Sequence, residues 1–305
     1  MRILTLSPHE LQTHTLSDDH LQDAVAAIRT DGFVALKNAV ALEHLDVLHA
    51  KMVEDAHYIA NRPDAPFNWN KGNIQQDPPP FAPYLFADVL MNPFAIAIAK
   101  SVFGTRIKNT AYTGNTALKS DARQTAHGDC GHLWDDLEVA HPAHMLVVNV
   151  PTVAVSPQNG ATELWPGTHL NTTIGNAGNV EVSDEALEAR RAVVPPLQPT
   201  LPRSAMIIRD MRMCHAGMLK TTEEPRPMIA LIWSAAWLEV GTPLRFPLGE
   251  REFLSHPDLE QCAQYVEGDI NYLHASQGHK APTANHENAN HENVHLENVN
   301  HEVTV

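Results

Sequence analysis

A chain of 305 residues, 43% of them hydrophobic, is long enough for one large domain with a substantial core. Its 36 acidic residues against 21 Lys and Arg give a formal net charge of −15, which excludes a bulk nucleic-acid binder and a partner of anionic membranes, since neither phosphate surface would attract it. The N-terminal "MRILTLSPHELQTHTL" lacks the apolar run of a secretory signal, no stretch reaches the ~18 apolar residues of a membrane span, and Cys130, Cys214 and Cys262 fit no disulfide or zinc framework, so a cytoplasmic protein is expected.

In chain order, the first third reads as helical. Ser17 is placed to cap "DDHLQDAVAAIRT", with acids in the first turn and Gly32 as the stop. "LEHLDVLHAKMVEDAHYIA" and "NPFAIAIAKSVFG" carry apolar residues at helical spacing, the second ending on Gly104. Between them "RPDAPFNWNKGNIQQDPPPFAPY" is rich in Pro and Asn and reads as a long functional loop. Thereafter "RIKNTAYTGNTAL", "HMLVVNVPTVAV", "SAMIIRDMRMCHAGM" and "RPMIALIWSAAWL" read as strands, several divided by turn residues such as Asn159-Gly160 and Pro166-Gly167. "SDEALEARRA" and "HPDLEQCAQYV" read as short helices. Helices followed by many strands predict helices packed on an antiparallel β-structure.

The end differs in kind. Glu287, Glu292, Glu297 and Glu302 recur every five residues, accompanied by His286, His291, His295 and His301. Five is neither a helical nor a strand period, so residues 281–305 read as a disordered tail and residues 1–280 as the working domain.

Chemistry concentrates in "QTAHGDCGHLWDD". Residues i and i+2 of a strand share a face, so His127 and Asp129 project together, whereas His132 and Asp135 have helical spacing in a segment whose Gly131 and Trp134 suggest no helix. The preferred pair is His127 with Asp129, and a bare His-x-Asp needs a third ligand. His215, late in an apolar strand-like run, is a candidate. Two histidines and one carboxylate with open positions are the ligand set of non-haem Fe(II) oxygenases. Arg226, eleven residues on, begins the next strand-like run; if the two strands are antiparallel neighbours it enters the same cavity, where a guanidinium can clamp a dicarboxylate.

Four ordered segments spread over residues 18–238 carry a resemblance. "AAIRTDGFVALKNAV", "QTAHGDCGHLW", "NGATELWPGTH" (with Thr168 where Ser is usual) and "CHAGMLKTTEEPR" together resemble the phytanoyl-CoA hydroxylase-like family of Fe(II)/2-oxoglutarate-dependent dioxygenases. The stretch "NWNKGNIQQDPPPFAPYLF" is similar to its fungal natural-product branch, and no basic cluster suits a CoA tail. The resemblance implies a mainly β fold, a double-stranded β-helix (jelly-roll, cupin-like) core with flanking helices. It implies Fe(II) on His127, Asp129 and His215, 2-oxoglutarate on Arg226, and O2 as oxidant. Gln124 and Thr162 would approach the cosubstrate, although strict alternation puts Gln124 on the face opposite His127 and so demands a bend. The run Ala216-Gly217-Met218-Leu219 departs from the family's "AGxN" and its following hydroxyl residue.

The function so implied is oxidation of an unactivated C–H in a small, largely apolar molecule by hydroxylation, desaturation or rearrangement. Asn68, Asn73 and Gln75 on the long loop, Met213 beside His215, and Trp233 and Trp237 are candidate substrate contacts. Cys130 and Cys214 flank ligands but should face away from the metal as packing residues. A homodimer, with a partner loop capping the site, is a further expectation. Two other readings remain: a non-redox jelly-roll metal-binding protein or cupin-like isomerase, which needs no Arg226, and a metal-sequestering module centred on the His/Glu tail.

Overall fold

The computed structural model describes residues 1–173 and 182–276; the expected tail at 281–305 and its boundary lie outside the described residues. Among the described residues, helices α1 (Pro8–Thr13), α2 (Asp18–Thr30), α3 (Leu42–Ala60), α4 (Ala87–Leu90), α5 (Pro93–Phe103) and α6 (Asp184–Val193) accompany twelve strands. The strands are β1 (Ile3–Thr5), β2 (Phe33–Lys37), β3 (Asn73–Gln75), β4 (Ile107–Ala117), β5 (Met145–Pro151), β6 (Glu163–Leu164), β7 (Met206–Asp210), β8 (His215–Ala216), β9 (Arg226–Ser234), β10 (Leu244–Pro247), β11 (Leu259–Gln261) and β12 (Ala263–Val266). None of the described helices is long and apolar enough to cross a membrane.

The helix signals act as the sequence suggests. Ser17 accepts from the His20 amide to start α2. Asn92 accepts from the Phe94 and Ala95 amides to start α5, while its own Nδ2 donates to the Ala39 and Asp88 carbonyls. Along α3, Leu45, Leu48, Met52, Ala56 and Ile59 recur every three or four residues and are buried.

The main sheet has the order β1-β2-β7-β5-β9-β4-β11, and β3 also pairs with β4. Its pairings are antiparallel except β1–β2 and β4–β11. A small second sheet forms from β6 and β8, extended by bridges His127↔His215 and Leu164↔Leu197. Strand alternation divides the main sheet's residues between two environments. Ile229, Leu231 and Trp233 of β9, and Leu146, Val148 and Val150 of β5, join residues of α2, α3 and α5 in one core. Met228, Ala230 and Ile232, with Val147 and Asn149, face the other way and line a cavity closed by the small sheet. This is the expected mainly β jelly-roll with helices on one outer face.

Three local expectations change. "HPDLEQCAQYV" is not a helix: it forms β11 and β12, because the start of β4 leaves a ladder edge that Leu259–Gln261 completes. "FVALK", buried between β1 and β7, is a strand whose continuous apolar run gave no period. "SAMIIRDMRMCHAGM" is two strands. The Asp210 carboxylate accepts from the Arg212 amide and guanidinium and turns the chain from the main sheet to the small one.

Asn92→Ala removes a helix cap and leaves the buried Ala39 carbonyl short of a donor. We expect a loss of about 2 kcal/mol, read as a lower denaturant midpoint at unchanged slope; a loss under about 0.5 kcal/mol would contradict the assigned cap.

Candidate active site

Three ligand-type side chains meet between the two sheets. One donor atom each from His127, Asp129 and His215 lie within 4.8 Å of one another, the one such group among the described residues. His127 and His215 exchange both backbone hydrogen bonds, at 3.0 and 2.8 Å, which places them side by side on one face. Their ring centroids are 4.5 Å apart. Asp129, two residues on, follows the same face, its amide donating to the Met211 carbonyl.

Backbone carbonyls fix the imidazole tautomers. His127 Nδ1 lies 2.7 Å from the Thr125 carbonyl and His215 Nδ1 3.2 Å from the Met213 carbonyl. A carbonyl only accepts, so each Nδ1 carries the proton and each Nε2 is left as the basic nitrogen, with its lone pair available to a metal. Burial, aided by the nearby Arg209 charge, pushes His215 down to about 3, so its imidazole is neutral at physiological pH and in its ligating form.

Arg209 on β7 governs Asp129. Its Nη2 donates to Asp129 Oδ2 at 2.5 Å and its Nε to Asn149 Oδ1 at 3.2 Å. Burial alone would raise the Asp129 carboxyl; Arg209, then the two imidazoles, outweigh it and hold it well below the usual carboxylate range. With Oδ2 taken, Oδ1 stands 3.5 Å from His215 Nε2. The result is an N, N, O set on one face with a permanently ionised carboxylate, which fits a divalent first-row metal of the Fe(II) type. Nothing in the sequence reading pointed to Arg209; its signal was a charged residue in the middle of the apolar run "AMIIRDM".

Arg226 reaches the same cavity by a different route from the one expected. β9 pairs with β4 and β5, not with β8, so Arg226 faces His215 from the opposite sheet. Its guanidinium is buried and donates to the Asn159 and Gly160 carbonyls at 2.9 and 2.7 Å. Burial lowers it to about 10, so it stays charged at neutral pH.

The bend that Gln124 requires is present. His127 stands opposite His215, and the Gln124 amide donates to the Gly217 carbonyl. Three residues are therefore spanned on one strand against two on the other, which returns Gln124 to the cavity side. Its Oε1 accepts from the Gly217 amide at 2.7 Å. A Cβ at position 217 would lie 2.5 Å from that Oε1, so glycine is what permits the approach. Thr162, Asn68, Asn73 and Gln75 also line the cavity, of about 270 Å³.

Other candidate contacts lie away from the cavity lining. Met213 is fully buried against Phe33, Ala35 and Val155 in a separate core cluster, and Met211 lines the cavity instead; the turn after Asp210 rotates the intervening residues. Trp233 lies in the helix-side core by alternation, and Trp237 is exposed beyond the strand end. The aromatic at the site is Trp69, stacked on His127 with centroids 4.3 Å apart and held at φ 60, a left-handed conformation uncommon for a bulky residue. Cys130 and Cys214 stay outside the cavity lining, as alternation predicts, and burial pushes their thiols up to about 12 and 11.

Comparison with known proteins agrees with this architecture. HygX from Streptomyces hygroscopicus, solved with nickel and 2-oxoglutarate bound, superposes with a TM-score of 0.53 at 13% identity, over 75% of this chain and 91% of HygX. AviO1 from Streptomyces viridochromogenes Tue57 superposes at 0.51 and 18% identity, over 75% of this chain and 99% of AviO1. At such identities the likeness is one of fold. The sequence pattern of the phytanoyl-CoA dioxygenase (PhyH) family matches residues 28–194, more than half of the chain and including His127 and Asp129. The chain therefore belongs to the phytanoyl-CoA dioxygenase (PhyH) family.

Proposed function

We propose that this chain is a non-haem Fe(II)/2-oxoglutarate-dependent dioxygenase that oxidises an unactivated C–H of a small molecule, with residues 1–280 as its catalytic domain. One observation carries the reading: a buried guanidinium, Arg226, whose hydrogen-bond partners are two carbonyls and the Met228 sulfur, faces the same cavity as the His-Asp-His group. A buried cation with no acidic partner among the described residues calls for an anion, and the distal carboxylate of 2-oxoglutarate would supply one. A non-redox jelly-roll metal protein or isomerase would have no use for it.

In this reading His127, Asp129 and His215 hold the metal, and Arg226 orients the cosubstrate. Fe(II) with 2-oxoglutarate and O2 supplies the oxidising power when bound. The protein's own work is positioning. Arg209 keeps Asp129 ionised and turned toward the imidazoles. Trp69 covers His127 and keeps water from that side. Gln124, pinned to Gly217, and Thr162 flank the cosubstrate's path.

The expectation of a largely apolar substrate needs adjustment. Val147, Met211, Met228, Ala230 and Ile232 supply an apolar wall, but Asn68, Asn73, Gln75, Thr113 and Asn115 supply a polar one. We propose natural-product tailoring of a molecule with both faces. The loop that resembles the fungal branch contributes Asn68, Trp69, Asn73 and Gln75 to the cavity, which supports that assignment. So does HygX, which has also been solved with nickel, 2-oxoglutarate and hygromycin B bound.

His127→Ala and Asp129→Ala should each abolish conversion of 2-oxoglutarate to succinate; metal-dependent turnover in either variant contradicts the ligand assignment. Arg226→Ala should raise the 2-oxoglutarate KM roughly 30-fold or more, the effect of removing one partner from a buried charged pair, with a much smaller change in kcat. An unchanged KM removes Arg226 from the cosubstrate site.

A further inference from the structure

Arg209 and Arg226 stand at opposite ends of one cavity. Arg226 opens β9, and the cavity-facing residue at its far end is Ile232, six residues on or roughly 20 Å of strand. Ile232 pairs with Val147, and Val147 with Arg209, so Arg209 belongs to that far row. The metal-ligand group lies between, since Asp129 touches Arg209 while Gln124, on the other side of His127, meets Gly217.

The two ends differ in charge demand. Resting on the proposed function, the charges in the loaded cavity can be counted. Fe(II) contributes two positive charges and the two arginines two more; Asp129 and 2-oxoglutarate contribute three negative ones. One positive charge remains. Among the described residues no other charged side chain lines the cavity to neutralise it; Glu163, nearby, is paired with Arg123. The surplus lies at the Arg209 end, because the distal carboxylate answers Arg226. Arg209 is also incompletely satisfied. It is only 5% accessible, sits beside Val147, Met211 and Ile232, and its Nη1 has no hydrogen-bond partner among the described residues. Metal binding draws on the one carboxylate it holds, which leaves the guanidinium poorly compensated in an apolar row.

We propose that the substrate is an anion, a carboxylic acid in its ionised form, and that Arg209 receives its carboxylate on the side of the metal away from 2-oxoglutarate. The apolar wall then carries the hydrocarbon part of the substrate and the amides of Asn68 and Gln75 its remaining polar groups. Arg209 is thus both the positioning residue for Asp129 and the specificity determinant for substrate charge.

The test uses the full chain loaded with Mn(II) and 2-oxoglutarate, which is inert to O2 chemistry and broadens the proton resonances of molecules bound close to the metal. The probes are cyclohexanecarboxylate and benzoate, each against its own amide. Wild type should bind each carboxylate about 10-fold or more tightly than the amide, the scale of a charge-assisted over a neutral hydrogen bond, with 2-oxoglutarate still broadened. Arg209→Gln should erase the preference, and Arg209→Lys, which keeps the charge and guards against loss of fold in the Gln variant, should retain it in part. Equal binding of acid and amide, a preference that survives in Arg209→Gln, or displacement of 2-oxoglutarate by the probe would each overturn the proposal. Wild type that takes up neither Mn(II) nor 2-oxoglutarate fails one step earlier and overturns the proposed function with it.

Discussion

The two-residue period of the β-strand is the constraint on which this molecule depends. Along "RPMIALIWS" every second side chain goes to the helices and every second one to the cavity. The same backbone therefore builds a dense apolar core on one face and a polar, charged site on the other. A shift of one residue in the β5–β9 pairing would send Trp233 into the site and Ile232 into the core. The core against α2, α3 and α5 is what holds that register, and through it the position of Arg226.

On this frame the site is assembled from segments far apart in sequence. The small sheet brings His127 beside His215 by two backbone hydrogen bonds, the carbonyls of Thr125 and Met213 set the ring tautomers, and Arg209 reaches from the main sheet to fix Asp129. Buried charges are costly unless answered. Of the two buried arginines facing the cavity, one shares the Asp129 carboxylate of the His-Asp-His group, and the other meets two carbonyls and the Met228 sulfur with no carboxylate beside it among the described residues.

Much of this was legible in the sequence, for physical reasons that differ by element. Helices α2 and α5 carry their own side-chain caps and α3 its periodicity, so local chemistry defines them. That His127 and Asp129 come together was legible because i and i+2 in an extended chain share a face whatever surrounds them. Properties set by distant chain were not. β11 and β12 exist because β4 and β10 offer edges. Met213 leaves the site because Asp210 turns the chain. Arg226 faces His215 across the cavity rather than along a hairpin. Gln124 needed an irregularity in pairing, which no period reveals. Arg209 and Trp69 were missed because a lone charge in a strand and a tryptophan in a loop acquire meaning only beside Asp129 and His127.

The most direct test of the proposed site is an anaerobic titration of the Fe(II)-loaded protein with 2-oxoglutarate, followed by visible absorption. Wild type should develop a metal-to-ligand charge-transfer band that is absent in His215→Ala. Iron bound in wild type with no such band on adding 2-oxoglutarate would contradict it, because the cosubstrate would then not chelate the metal held by these three residues.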